Sequence, residues 1–326
     1  MSNLRNSQKT LSVGIVTRTK NRAVLLRRAL ESVRNQTFTS WQLIIVNDGG
    51  TKEPVDLLVQ QMFNGDPRVR IVHHDTSRGM EAASNAGIAL LNTDYAIIHD
   101  DDDSWAPEFL AVTTRVLSEK RKQYPSIRGI VSQLNAVYET VTANLIQIED
   151  VRPWYAGEMD RLEEGFLSIQ TILVRNQFPP IAFLFDLGVC KELGMFDANL
   201  PVLGDWDFHT RFVLKHDIWV HPEFLAFYHH RVTADGDMGN SVHTGNHLHA
   251  LYRQMLRNKW IRDGVNDPTT SGRMGLMLAM EIQDSLAKTF NKRDTRRKYK
   301  SPIRQALSDG VKRIKKYFKG SGHVRH

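Results

Sequence analysis

Hydrophobic residues in the first hundred positions fall into short blocks with two alternating rhythms. Leu11 to Val16 carries the dense apolar pattern of a buried strand, and Leu25, Leu26, Ala29, Leu30 and Val33 then recur at helical spacing. Trp41 to Val46 repeats the strand pattern and stops at the turn-forming Asn47-Asp48-Gly49-Gly50. Val55 to Met62 predicts a helix, Val69 to His73 a strand, Met80 to Leu91 a helix, and Tyr95 to His99 a fourth strand. Strands interleaved with helices predict an α/β fold, a parallel sheet with helices on its faces.

The second half is less regular. Ile130 to Ile148 is rich in Val, Ile and Thr and predicts strand, Glu149 to Gly165 a polar loop, and Ile181 to Phe185 another strand. Helical spacing returns at Val189 and Leu193, and again at Phe208, Phe212 and Val213, before a strand-like run from Phe224 to Phe227. Towards the C-terminus, Met274, Leu276, Met277, Met280 and Ile282 supply one apolar helical face. Ile303, Leu307, Val311, Ile314 and Phe318 form a second stripe after Pro302, although Gly310 interrupts it. These patterns divide the chain into residues 1–115, 116–255 and a helical extension, 256–326.

Composition changes this picture in two places. The 326 residues, 41% hydrophobic and 24% charged, are ordinary for a soluble protein. No run approaches the roughly 18 apolar residues of a membrane span, and Met1 to Thr10 lacks the apolar segment of a secretory signal. Cys190 is the one cysteine, so an intrachain disulfide is excluded and a cytosolic chain is expected. Charge, however, is uneven. Residues 287–326 hold fourteen Lys and Arg against two Asp, a charge of +12, so the net +7 leaves −5 for residues 1–286. A basic amphipathic tail on a mildly acidic body points to an anionic surface.

The most informative chemistry is Asp100-Asp101-Asp102-Asp103, directly after the fourth predicted strand. Adjacent carboxylates repel one another, and oxygen-only ligands suit a hard cation such as Mg²⁺ or Mn²⁺, which also binds phosphates. A solvated acidic turn is the alternative reading of the run alone.

Four segments in order carry a resemblance. They are Ser12 to Arg22, Val46 to Gly50, Ser77 to Gly87 and His99 to Glu108. With the downstream Leu193 to Asp197 and Leu203 to Arg211, they resemble the family 2 glycosyltransferases, inverting enzymes of the GT-A fold. The resemblance covers roughly residues 11–235. It implies a Rossmann-like mixed sheet flanked by helices, with 1–115 as its nucleotide-sugar half and 116–255 as its acceptor half. It also implies donor binding by Thr17, Arg18, Thr19, Arg22, Asp48, Arg78, Asp100 and Asp101. Within that set Asp48 would accept the N3–H of uracil, and Arg78 would meet the diphosphate. Asp102 becomes the direct ligand of Mn²⁺ or Mg²⁺, with His229 or His230 brought back to the metal and Asp103 in a capping or supporting role. Asp205 becomes the general base, with Asp207 the runner-up, and Trp206 a platform for the acceptor sugar. The chain departs from the family pattern at Gly204, where a glutamate usually precedes the catalytic aspartate.

The implied activity is metal-assisted transfer from a nucleotide-sugar, UDP favoured, to a hydroxyl of a glycan or lipid-linked glycan. Residues 287–326 would hold the enzyme on the inner face of an anionic cell membrane, and Asp235 to Asn240 form a candidate loop over the donor. A sugar nucleotidyltransferase would share sheet and metal, but Thr17 to Arg22 lacks the Gly-rich loop it needs. Nucleic-acid binding would explain the tail and not the acids. A zinc site at His243, His247 and His249 lacks a cysteine or nearby acid to complete it.

Overall fold

The structure, a computed structural model, describes residues 11–141, 146–156, 162–231 and 246–266. The chain begins with β1 (Val13–Thr19), α1 (Ala23–Arg34), β2 (Trp41–Asp48), α2 (Lys52–Phe63), β3 (Val69–His74), α3 (Met80–Ala89) and β4 (Tyr95–Asp100). Each predicted strand and helix of the first hundred residues is therefore present. The apolar positions of α1 are its buried face, Leu25, Leu26, Ala29, Leu30 and Val33. The strands run further than their apolar cores. β1 continues through Thr17, Arg18 and Thr19, and β2 takes in Asn47 and Asp48, because pairing with β1 satisfies their backbone whatever the side chain.

β5 (Ser104–Trp105) and α4 (Phe109–Gln123) follow the acidic run. The region predicted as strand and then loop is a hairpin of β6 (Ile127–Val141) and β7 (Ile146–Pro153). Glu149 to Pro153 thus lie in β7 and not in a loop. β7 pairs with β6 through its backbone while its side chains stay largely exposed, Ile148 and Val151 included. Then come β8 (Gly165–Phe166), α5 (Ile169–Val174), β9 (Phe183–Asp186), α6 (Leu187–Glu192), α7 (Gly204–Val213), β10 (Asp217–His230) and α8 (Asn246–Asn266). Ile181 and Ala182, expected in a strand, close a short 3₁₀ turn after Pro179-Pro180.

The sheet order is β3-β2-β1-β4-β9-β6-β10-β5, with β7 and β8 on the flanks of β6 and β10. β1 to β4 are mutually parallel, β9 is antiparallel to both β4 and β6, and β10 returns parallel to β6. One mixed sheet therefore joins both halves of the chain, and α8 crosses position 256 without a break. The strand order reverses around β1, so the C-terminal ends of β1, β2 and β4 converge at a topological switch point, where α/β sheets place ligands. Beneath them the core is aliphatic, with Val13, Ile15, Ile44, Ile45, Ile97 and Ile98 essentially inaccessible.

Asp235 to Asn240, His243, the Met274–Ile282 stripe, the Ile303–Phe318 stripe and the basic segment 287–326 lie outside the described residues.

Candidate active site

A cavity of about 230 Å³ opens at the ends of β1, β2 and β4, lined by Arg18, Thr19, Arg22, Asp48, Ser77 and Asp100 among others. The four acids, of which Asp100 lines the cavity, do not share one environment. Asp100 is gripped by Arg18, whose Nε and Nη2 lie 2.8 and 2.6 Å from Oδ1. Asp101 is fully buried against Arg22, 2.6 Å from Nη2. Asp102 Oδ2 meets Arg22 Nη1 at 3.4 Å and also pairs with Arg231. Asp103 accepts the backbone N–H of His229 at 2.9 Å, so it ties β10 to the acidic turn instead of capping a helix.

Three guanidiniums and a backbone amide thus absorb the mutual repulsion. Burial pushes the Asp101 carboxyl up to about 6 despite Arg22. Burial acts in the same direction on Asp102, but Arg22 and Arg231 overcome it and hold that group at about 2. Asp103, with no guanidinium of its own, is pushed well up by burial and by its acidic neighbours.

A second layer fixes these cations. Glu139 of β6 is buried and accepts from Arg28, from His229 Nδ1 at 2.8 Å and from Arg231 Nη1 at 3.1 Å. Burial would raise Glu139, but the bonds from His229 and Arg28 bring it down to about 2. A charged Glu139 makes Nδ1 of His229 the protonated nitrogen, leaving Nε2 to accept from Ser104 Oγ at 2.9 Å. Both ring nitrogens of His229 are committed, so ligating a metal would break one of these bonds. His230 is buried and stacks on Tyr138, with ring centroids 5.3 Å apart.

Asp48 is equally occupied. Its oxygens accept from His74 Nδ1 and Ser77 Oγ, both at 2.7 Å, and from the backbone N–H groups of Arg78 at 2.9 Å and Gly79 at 3.0 Å. Burial works to raise its pKa, and these donors together lower it. Gly49 permits the arrangement. Its φ is +78°, and a Cβ there would stand 2.3 Å from Ser77 N. Asp48 therefore holds the 74–79 loop at the edge of the cavity, and reading a base with this carboxylate would mean exchanging one of these donors. The Arg78 side chain is exposed beside it. Thr19 lines the cavity, whereas Thr17 is fully buried within β1 and does not. Thr17 lies two residues before Thr19 on the same face of β1 but deeper, below the cavity lining.

Asp205 stands in the first turn of α7, half-buried. Asn176 Nδ2 donates to its Oδ2 at 2.6 Å, and the N–H of Trp206 donates to Oδ1 at 2.8 Å. Asn176 Oδ1 lies in turn 3.1 Å from His209 Nδ1. Burial lowers His209 to about 3, so the ring is neutral and donates Nδ1–H to the amide. His209 is set between Phe178 at 4.4 Å and Phe183 at 5.1 Å between ring centroids. Burial is the main cause raising the pKa of Asp205 itself. The result is an oriented carboxylate with enhanced proton affinity, facing the electrostatic field of Arg18 and Asp100.

Its neighbours are spent on structure. Asp207 is buried and paired with Arg211 Nε at 2.8 Å. Trp206 is 1% exposed, donates Nε1–H to Ile172 at 2.6 Å and packs edge-on against Trp260. It is a core residue and cannot serve as an exposed sugar platform, which corrects the expectation from sequence.

Mg²⁺ or Mn²⁺ in such sites takes one or two carboxylates and completes its shell with substrate phosphates and water. Among the described residues no group of three ligands is preassembled. Asp100, about a quarter exposed on the cavity, and the partly accessible Asp102 offer hard oxygen donors of the right kind, so the residues fit such an ion.

Residues 14–148 match the model of the glycosyl transferase family 2. The chain is 37% identical over 101 residues to the putative colanic acid biosynthesis glycosyl transferase WcaA of Escherichia coli (strain K12), a match spanning 31% of this chain and only 36% of that protein. In fold it is similar to S. aureus TarS 1-349 in complex with UDP-GlcNAc, with a TM-score of 0.54 at 14% identity over 69% of this chain and 60% of that one. It is similar also to the mannosyltransferase PcManGT from Pyrobaculum calidifontis in complex with GDP-Man and Mn²⁺, with a TM-score of 0.52 at 13% identity over 92% and 84% of the two chains. The mixed sheet with its flanking helices is thus the GT-A fold. Residues 14–148 carry the family 2 glycosyltransferase match within this sheet.

Proposed function

We propose that the protein transfers a sugar, with inversion, from a nucleoside-diphosphate donor to a hydroxyl of a glycan or lipid-linked glycan, with Asp205 as general base. The observation that carries this reading is the oriented, proton-hungry carboxylate of Asp205 beside a cavity lined by Arg18, Arg22 and Asp100. A neutral hydroxyl is a poor nucleophile until its proton has somewhere to go. The acceptor O–H gives its proton to Asp205 Oδ as its oxygen bonds the anomeric carbon. The bond from that carbon to the diphosphate oxygen breaks on the opposite face, and the nucleoside diphosphate departs. Arg18, Arg22 and the exposed Arg78 supply positive charge along the cavity for the diphosphate. Asp100 and Asp102 would hold a Mg²⁺ or Mn²⁺ ion, which when bound supplies further charge for the leaving group.

A UDP-sugar is the favoured donor. The similar structures hold UDP-GlcNAc in one case and GDP-Man in the other, and the preference here rests on Asp48, a lining residue whose carboxylate would accept the uracil N3–H in exchange for one of its present donors. A thermal-shift screen tests both points. UDP-sugars with Mn²⁺ are expected to stabilise the chain by about 2–3 kcal/mol at a hundredfold excess over Kd, and less in EDTA. Stabilisation by GDP-sugars alone would sink the base preference, and indifference to metal would sink the cation.

No helix among the described residues is long and apolar enough to cross a membrane. We assign membrane contact to residues 287–326, whose Lys and Arg each contribute about 1 kcal/mol near an anionic surface. Deleting them is expected to release the protein from anionic vesicles and spare transfer to a short water-soluble acceptor. Continued pelleting of the truncated chain with such vesicles at moderate salt would overturn the assignment.

A further inference from the structure

The first residue of α7 leaves a notch that another helix fills. A Cβ on Gly204 would stand 2.4 Å from Cδ and 2.5 Å from Oε1 of Glu81, closer than any side chain tolerates. Glu81 belongs to the first turn of α3, where an acid ordinarily reaches water and favours the helix dipole. Here it turns inward and is 4% exposed. Its Oε2 accepts no hydrogen bond among the described residues, and its closest cation is Arg18 Nη1 at 3.7 Å. A buried carboxyl so poorly satisfied costs stability that an apolar residue would not.

What surrounds it is the active site. Arg18 faces it from β1, Asp100 from β4, and Asp205 and Asp207 from α7. Burial first, then the three acids against the single guanidinium, push the Glu81 carboxyl up to about 7. Arg18 uses its Nε and Nη2 on Asp100, while Nη1 donates to Ser84 Oγ at 3.2 Å and stands 3.7 Å from Glu81, so one cation spans the donor cavity and the start of α7.

We propose that Glu81 is a second functional carboxyl of this site, a positioning residue that fills the notch at Gly204 and holds Arg18 between the donor cavity and Asp205. The proposal rests on the reading of Asp205 as base. Ionised Glu81 raises the proton affinity of Asp205 through their mutual repulsion, so transfer gains a rise with pH near neutrality that belongs to Glu81. The sign for stability is opposite. A carboxyl whose folded pKa is raised contributes stability present below its unfolded value and lost as pH rises through the folded one.

The test uses the full chain, with Mn²⁺ and whichever of UDP-glucose, UDP-galactose and UDP-N-acetylglucosamine the wild type hydrolyses fastest. Glu81→Gln keeps the shape of the side chain. It is expected to lower kcat about 10- to 100-fold, leave UDP affinity within about twofold, and abolish the rise of kcat near neutral pH. Its melting temperature should also fall less than that of the wild type between about pH 5 and about pH 8. Wild-type kcat and an unchanged pH profile in Glu81→Gln would overturn the proposal.

A second pair of variants moves the carboxyl. Glu81→Ser opens the notch, and Glu81→Ser with Gly204→Glu refills it from α7, which is expected to restore about tenfold in kcat over the single variant. A folded double variant no faster than Glu81→Ser would count against the proposal, and if the double variant does not fold, Glu81→Gln decides alone. Asp205→Asn separates the two readings. Activity in Asp205→Asn removes the base, whereas a silent Asp205→Asn beside a wild-type Glu81→Gln removes only the role of Glu81.

Discussion

Asp205→Asn is expected to lower transfer by roughly 10²–10⁴-fold, the usual worth of a positioned base, with UDP affinity nearly unchanged. The amide cannot take the acceptor proton, but it keeps the volume of the carboxylate. It keeps the bond from the Trp206 N–H through its oxygen, and only the contact with Asn176 Nδ2 must adjust. Stability should move little, because Asp205 is half-buried and its own burial disfavours the charge that the substitution removes. The measurement is single-turnover transfer beside calorimetric UDP binding. Should Asp207→Asn produce the loss while Asp205→Asn remains active, the roles of the two acids are reversed. The buried pair of Asp207 with Arg211 argues that Asp207→Asn will instead show itself as a loss of stability.

Asp102→Asn is expected to bring UDP affinity in Mn²⁺ down to its value in EDTA, because an anionic oxygen donor becomes a weaker neutral one. Sequence alone suggests that such a variant leaves the fold untouched. The ion pairs with Arg22 and Arg231 say otherwise, since Asp102 also stabilises the folded chain. A folded pKa of about 2 against an ordinary value of 3.8 corresponds to about 2 kcal/mol of stability. That contribution is present above pH 4 or so and lost as pH falls through about 2. The melting temperatures of wild type and variant should therefore differ at neutral pH and converge in acid. Unchanged, EDTA-sensitive UDP affinity in Asp102→Asn would move the metal to another carboxylate of the run.

The strands and helices of the first hundred residues were legible because the strands carry dense apolar runs and helices such as α1 an apolar stripe at helical spacing, and burial follows both. The hairpin of β6 and β7 was not, because a strand such as Ile146–Pro153 is held by backbone pairing that leaves its side chains exposed and free of any burial pattern. At the site, a motif points to residues whose neighbours in sequence share the task, such as Arg18, Arg22 and the acidic run. Glu139, Arg231, Arg28 and Asn176 act through partners far along the chain, and no local spacing marks them. A lone acid among the apolar and hydroxyl residues of β6 was the one available signal for Glu139. Trp206 misled for a related reason. An indole next to a functional aspartate reads as a binding surface, but on a helix the adjacent side chain points about 100° away, here into the core.

The bond from His209 to Asn176 gives the hydrophobic interior a hold on chemistry at the surface. Phe178 and Phe183 pin the imidazole, the imidazole pins the amide, and the amide aims Asp205. With Asp205 as the proposed base, substitutions at those two phenylalanines that keep volume, ordinarily neutral, are expected to alter turnover. The packing of the core at this corner thereby reaches a carboxylate that the core never touches.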